Sequence, residues 1–187
     1  CGFPTKKEIS KSTKKKDAVR RCTRGYECEF TAREKLKHLV SKDAFNIEGL
    51  GKKVIDNFWE LKFIRTPSDI FNLDYSKIEK LEGWGKLSIN NLKKAIKDSK
   101  NIVLDRFIYS IGIRHIGQEN AKILGNFFKN VKKFSELFNN SKRENILKHL
   151  SDLDGIGETQ VESIGSFFSN DKNSKIVKSL ILILNIN

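Results

Sequence analysis

The chain has 187 residues and a formal net charge of +13, from 36 Lys or Arg against 23 Asp or Glu. With 38% hydrophobic and 32% charged residues it is polar but above the disordered range. The longest apolar run, near Leu180–Leu184, is far too short to span a bilayer. These figures, with 2 Pro and 12 Gly, exclude a helical membrane protein, a secreted disulfide scaffold and a Pro/Gly low-complexity fibre. There is no Met, so the chain is expected to be a piece of something longer.

A pI near 9.6 points to a polyanionic partner, with nucleic acid the first choice. Residues 1–37 hold 12 Lys/Arg and 5 Asp/Glu, so most of the surplus charge is N-terminal. That segment also contains all three cysteines, Cys1, Cys22 and Cys28. Clustered thiols without a secretory leader suggest a structural zinc site, which normally takes four ligands. His38 is a ligand on paper, but its place on a helix ten residues on suits a surface or DNA-facing role better. Residues 1–30 show neither a helical period nor sustained alternation. Lys14–Lys16 and Arg20–Arg21 read as a solvated loop.

From Thr31 the pattern becomes helical. Leu36, Leu39 and Val40 share one face, and Val54, Ile55, Phe58 and Leu61 the next. Thr66-Pro67 starts a short helix. Later faces are Leu92, Ala95, Ile96; then Leu104, Phe107, Ile108, Ile111; then Ala121, Leu124, Phe127, Phe128. Ile146, Leu147 and Leu150 follow, then Val161, Ile164, Phe167 and Phe168, and a last helix through Ile176, Val177, Leu180 and Ile181. No stretch reads as a strand, so the fold class is mainly α.

Between these helices one pattern recurs four times. Residues 47–51 (Ile-Glu-Gly-Leu-Gly), 81–85 (Leu-Glu-Gly-Trp-Gly), 113–117 (Ile-Arg-His-Ile-Gly) and 153–157 (Leu-Asp-Gly-Ile-Gly) align, with apolar residues four and seven positions past the last Gly. This spacing predicts four helix-hairpin-helix motifs in two pairs. The glycines are expected to supply special backbone angles and to let the backbone approach a ligand. Leu50, Trp84, Ile116 and Ile156 are expected to pack between the helices. The second Gly then stands at a helix N-terminus, where free N–H groups attract phosphate without reading sequence. A plain helical corner, with Gly serving only the turn, is the competing reading; four copies in a basic chain favour phosphate binding. Two hairpins related by a local two-fold suit duplex DNA better than a single strand. RNA binding is disfavoured because the Phe residues fall on core faces.

No nucleotide-binding loop, zinc-protease helix or nucleophile elbow is present, and His38, His115 and His149 are scattered, so no catalytic residue is expected here.

The residues resemble the bacterial NAD-dependent DNA ligases. Residues 21–28, from Arg21 to Cys28, look like the second half of that family's zinc finger. Residues 38–51, from His38 to Gly51, are similar to its join between finger and first hairpin, and residues 112–117 to its third hairpin. Cys1-Gly2 would be only the second cysteine of the finger, the interval to Cys22 is long, and Glu29 stands where Pro is common. The resemblance implies a truncated zinc finger of the four-cysteine type over residues 1–30, with zinc held by Cys1, Cys22 and Cys28, and a tandem hairpin domain over residues 31–187. It implies a parent that seals DNA nicks in replication and repair with NAD and magnesium, its nucleotidyl-transfer lysine lying outside this chain, which would be inactive alone. The implied partner is double-stranded DNA, nicked, gripped at the minor groove by a monomer in the bacterial cytoplasm at the nucleoid. The candidate contacts are Gly49, Gly51, Lys52 and Lys53; Gly83, Gly85 and Lys86; Arg114, His115 and Gly117; and Gly155, Gly157 and Thr159. The alternative is a stand-alone hairpin module of a repair or recombination protein without ligase activity.

Overall fold

The computed structural model describes residues 1–9 and 16–187; Lys14 and Lys15 of the expected loop lie outside that set. The N-terminal segment departs from the expectation of a loop. Strands β1 (Thr5–Ile9) and β2 (Lys16–Cys22) pair antiparallel, with Thr5 opposite Cys22 and a bulge between Lys7 and Ile9. Arg20 fastens the ribbon by donating from Nε to Thr5 Oγ1 at 2.9 Å and from Nη2 to the Thr5 carbonyl at 3.2 Å. Its described side chains are nearly all exposed, with Ile9 at 62% and Val19 at 52%. A ribbon with no buried face has nothing to impose the period-2 pattern by which strands are recognised.

A 3-10 turn at Gly25–Glu27 leads into α1 (Glu29–Leu39), and α2 (Lys52–Glu60) follows the first corner. Arg33 and Lys37 of α1 reach Glu60 and Asp56 of α2 at 2.8 and 2.9 Å. Two short helices come next, α3 (Pro67–Ile70) and α4 (Tyr75–Ile78). Pro67 occupies the first helical position, where its missing N–H costs nothing, and the Asp69 carboxylate accepts the Thr66 N–H at 2.7 Å. The second corner opens α5 (Lys86–Ser99), and the third joins α6 (Leu104–Ser110) to α7 (Gln118–Phe128). After α8 (Val131–Phe134), the fourth joins α9 (Asn140–Leu150) to α10 (Glu158–Ser169), and α11 (Asp171–Ile183) ends the helices.

A second correction is a two-residue parallel pair, β3 (Asn101–Ile102) with β4 (Asn185–Ile186). It ties the C-terminus back before α6: the Leu104 N–H donates to the Asn187 carbonyl at 2.9 Å. Two residues are too few for any periodic signal.

One apolar core runs through all the corners, from Ala32 in α1 to Leu180 in α11. Its second half is built on aromatic edges. Phe107, Phe128, Phe134 and Phe168 form a chain of edge-to-face contacts with centroids 5.4 to 6.0 Å apart, joining α6, α7, α8 and α10. Phe3 and Phe30 depart from the expected core placement, being 37% and 56% exposed beside the N-terminal ribbon. Leu61 ends α2 as its cap and is 40% exposed rather than on the core face.

His38 is also corrected. Its Nε2 lies 2.9 Å from the Tyr109 carbonyl, and its ring meets the Tyr109 ring edge-on at 4.7 Å. It ties α1 to α6 and is neither a free surface group nor near the cysteines.

Candidate nucleic-acid interface

The four corners share one geometry. In each, the N–H of the fourth residue donates to the carbonyl of the first: Leu50 to Ile47, Trp84 to Leu81, Ile116 to Ile113 and Ile156 to Leu153, all at 3.1 to 3.2 Å. The third residue is left-handed: φ is +89° at Gly49, +82° at Gly83, +60° at His115 and +85° at Gly155. A turn of this kind needs positive φ at that position, where glycine carries no Cβ penalty. His115 pays for its side chain with backbone strain of about 1 kcal/mol.

The second glycine behaves differently, and here the expectation of special backbone angles is corrected. Gly51, Gly85, Gly117 and Gly157 have φ between −67° and −99° with extended ψ, which any residue can adopt. Each is the N-cap of the following helix. A Cβ built on Gly51 or Gly85 would meet nothing within 4 Å. Neither conformation nor internal packing demands glycine at these two positions.

The residues after those glycines divide the corners electrostatically. The first corner presents Lys52 and Lys53, the second Lys86 beside Leu87, which is 75% exposed. The third presents Gln118 and Glu119, the fourth Glu158 and Thr159. The capping also differs. Ser88 Oγ, Asn120 Oδ1 and Gln160 Oε1 accept the N-cap N–H of Gly85, Gly117 and Gly157 at 3.0, 3.3 and 3.2 Å. At the first corner the equivalent residue is Val54, which has no acceptor to offer. The first helix N-terminus is therefore the most open to an incoming phosphate.

The corners come together in pairs. Gly49 and Gly83 line one hollow of about 630 Å³ with Glu48 and Trp84. Trp84 is half-buried and tilts against Phe58 of α2 at 5.5 Å, so it packs across to the first hairpin. In the second pair Asn120 Nδ2 donates to the Gly155 carbonyl at 2.8 Å. Arg114, His115 and Thr159 line a second, larger groove with the N-terminal segment. Lys52, Lys53, Lys86, Gly51 and Gly85 are exposed at their helix starts and line neither.

Sequence reasoning missed two positioning residues. Arg143 is buried and donates from Nη1 to the carbonyls of Leu137 and Phe168, both at 3.1 Å, holding the fourth corner's helices. Arg106 donates to the Lys42 carbonyl at 2.7 Å, tying the first corner's approach to α6. Nothing in their spacing distinguishes them from the other cations.

The three cysteines converge. Their Sγ atoms all lie within 4.8 Å of one another, with Cys1 and Cys22 at 3.8 Å. Two thiolates on a tetrahedral zinc at about 2.3 Å each stand about 3.8 Å apart, so the geometry fits the ion. Cys28 is buried at the N-cap of α1, and the Thr31 N–H, ahead of weaker donors, holds its thiol below the usual range. Among the described residues these three are the only His, Cys, Asp or Glu cluster of metal-binding geometry. Cys1, Cys22 and Cys28 could supply three positions of a four-coordinate site.

Residues 106–177 match the family model described as helix-hairpin-helix motif, which covers the third and fourth corners. Over 181 residues the chain is 55% identical to the DNA ligase of Pelagibacter ubique, spanning 96% of this chain and 26% of that protein. It is 38% identical to the DNA ligase of Azorhizobium caulinodans, over 97% of this chain and 28% of the relative. Against the DNA ligase of Rickettsia bellii it is 40% identical over 91% of this chain and 26% of the relative. The chain thus spans about a quarter of the length of the curated relatives it matches. Its resemblance to a segment of DNA ligases extends over nearly every residue.

Proposed function

We propose that this chain is the duplex-gripping segment of a DNA ligase. The observation that carries the proposal is the pair of N-cap glycines Gly51 and Gly85. Their conformations suit any residue and nothing of the chain fills the place of a side chain. A phosphodiester seated on the helix N-terminus explains both the glycine and the flanking Lys52, Lys53 and Lys86. Such contacts go to backbone phosphates, so binding is indifferent to sequence. In this reading Leu87, exposed beside Lys86, lies against sugars at a minor-groove edge.

In this reading the first two corners hold most of the phosphate contact, and all four hairpins act in two pairs over residues 31–187. The N-terminal segment over residues 1–30 is half of a zinc finger held by Cys1, Cys22 and Cys28. Bound zinc would supply folding energy to a ribbon that has no core of its own. The parent seals nicks in duplex DNA with NAD and magnesium, and its adenylation chemistry lies outside this segment. The segment acts as a monomer in the bacterial cytoplasm; among the described residues no helix is long and apolar enough to cross a membrane. The competing stand-alone module is weakened by 55% identity to a ligase along almost the whole chain.

The test is binding to nicked duplex, intact duplex and single strand across a salt series. Duplex over single strand, with a log–log salt slope of about −4 to −7 at about −0.9 per phosphate, is expected. Equal weak binding to all three, abolished by deleting residues 1–37, would reduce the interaction to a sticky basic tail.

A further inference from the structure

The larger groove lies between the N-terminal segment, α1, the third corner, α10 and α11, and encloses about 1380 Å³. Among the described residues, seven Lys or Arg line it against two acids, Glu27 and Glu162. Glu27 is held by Arg24 at 2.7 Å. On the groove wall, Lys35 of α1 stands with Nζ 4.6 Å from the Tyr26 ring centre and 5.5 Å from that of Phe167. It has no carboxylate partner among the described residues. Burial pushes its ammonium down to about 8, while the two ring faces act the other way. A cation kept so poorly compensated at a groove wall is placed for an anion that arrives from outside.

We propose that this groove holds a second stretch of nucleic-acid backbone, so that the cysteine-bearing ribbon and the helices close on one strand like two jaws. The inference rests on the DNA-gripping reading and extends it from the corners to the N-terminal segment. Continuity favours a phosphodiester over an acidic peptide: Arg114, His115 and Thr159, from the third and fourth corners, line the same groove. The helix starts of those corners carry Glu119, paired with Lys122 at 2.7 Å, and Glu158 in place of the lysines of the first two corners, which makes them poorer seats for phosphate. The second pair therefore attracts the strand through the neighbouring groove, with Arg21 from the ribbon, Lys35 from α1 and Lys172 from α11.

The experiment measures duplex binding by the whole chain at several salt concentrations. One variant carries Arg21→Ser with Lys172→Ser, another carries Lys35→Gln. A control, Lys97→Ser with Lys148→Ser, removes equal charge from exposed positions that do not line the groove. Circular dichroism checks that each folds. The double groove variant is expected to flatten the log–log slope by about 1 to 2, and Lys35→Gln by about 1, with the control unchanged. An unchanged slope in the groove variants, while Lys52→Ser with Lys53→Ser flattens it, overturns the groove and leaves the corner reading standing. Equal flattening by the control overturns it too, since bulk charge then accounts for the effect. A wild-type chain that does not bind duplex removes both readings.

Discussion

Gly49 and Gly51 are two residues apart and have opposite backbone requirements, so the proposed function predicts opposite outcomes for substituting them. Gly49 sits at φ +89°, where a Cβ would lie 3.6 Å from Leu92 Cδ1, an ordinary contact. The cost of Gly49→Ala is thus backbone strain, about 1–2 kcal/mol. For a chain of this size that lowers Tm by about 2–8 °C. Gly51 sits at φ −67°, ψ 169°, with open space at its Cβ position. As an N-cap, Gly51→Ala loses up to about 1 kcal/mol of capping. The restricted unfolded chain returns about 0.4–1 kcal/mol, so the net effect on Tm is close to zero. The methyl group stands where the phosphate would approach, and loss of one such contact, about 1–2 kcal/mol, weakens duplex binding about 5- to 30-fold. Thermal melting and a binding titration on both variants suffice. A Gly51→Ala protein that melts and binds like wild type would refute the close-approach argument. Equal destabilisation by both variants would make the second glycine a folding residue.

Further outcomes follow from the same geometry. Lys35 is depressed from 10.5 to about 8 in the folded chain, so the native state binds fewer protons than the unfolded state between those values. Stability therefore rises with pH across that window, by about 1–2 kcal/mol between pH 8 and 9.5; chemical denaturation should show this rise in wild type and a clearly shallower one in Lys35→Met, where the Cys28 thiol, lowered from 9.0 chiefly by the Thr31 N–H, still contributes with the same sign. The raised Tyr26 phenol works in the opposite sense, but mostly above pH 10, and takes only a small part of the rise at the top of this interval. Glu119→Gln with Glu158→Gln removes the acids from the third and fourth helix starts and should tighten duplex binding several-fold at low salt; weaker or unchanged binding would show that those corners do not face phosphate. Native mass spectrometry should detect one zinc per chain, lost in Cys28→Ser. Chelation should then expose residues 1–28 to protease while the helical melting transition persists; no zinc at any loading leaves the ribbon a simple hairpin.

Much of the helical body was legible because each helix buries one stripe. Ile55 and Phe58, Leu104 and Phe107, and Ile164 and Phe168 are all buried where their spacing places them. The corners were legible for a different reason. A left-handed third residue restricts chemistry so tightly that Gly recurs there, and His115 is the single exception. The ribbon was not legible because strands with two exposed faces carry no alternation. His38 was misjudged because its partner, Tyr109, lies 71 residues away. Arg143 looked like any surface cation, since only the fold brings the carbonyls of Leu137 and Phe168 to one guanidinium.

From the sequence alone came the helical class, the four corners, the basic character and the resemblance to a ligase segment, because local periodicity and turn chemistry are written in neighbouring residues. Tertiary structure decided which glycine the turn requires and which it does not, since both read as Gly and differ only in φ and in what surrounds them. It also decided that Cys1, Cys22 and Cys28 meet, and that Arg21, Lys35 and Lys172 share one groove. Those juxtapositions join residues from distant parts of the chain, and only the burial of a common core brings them together.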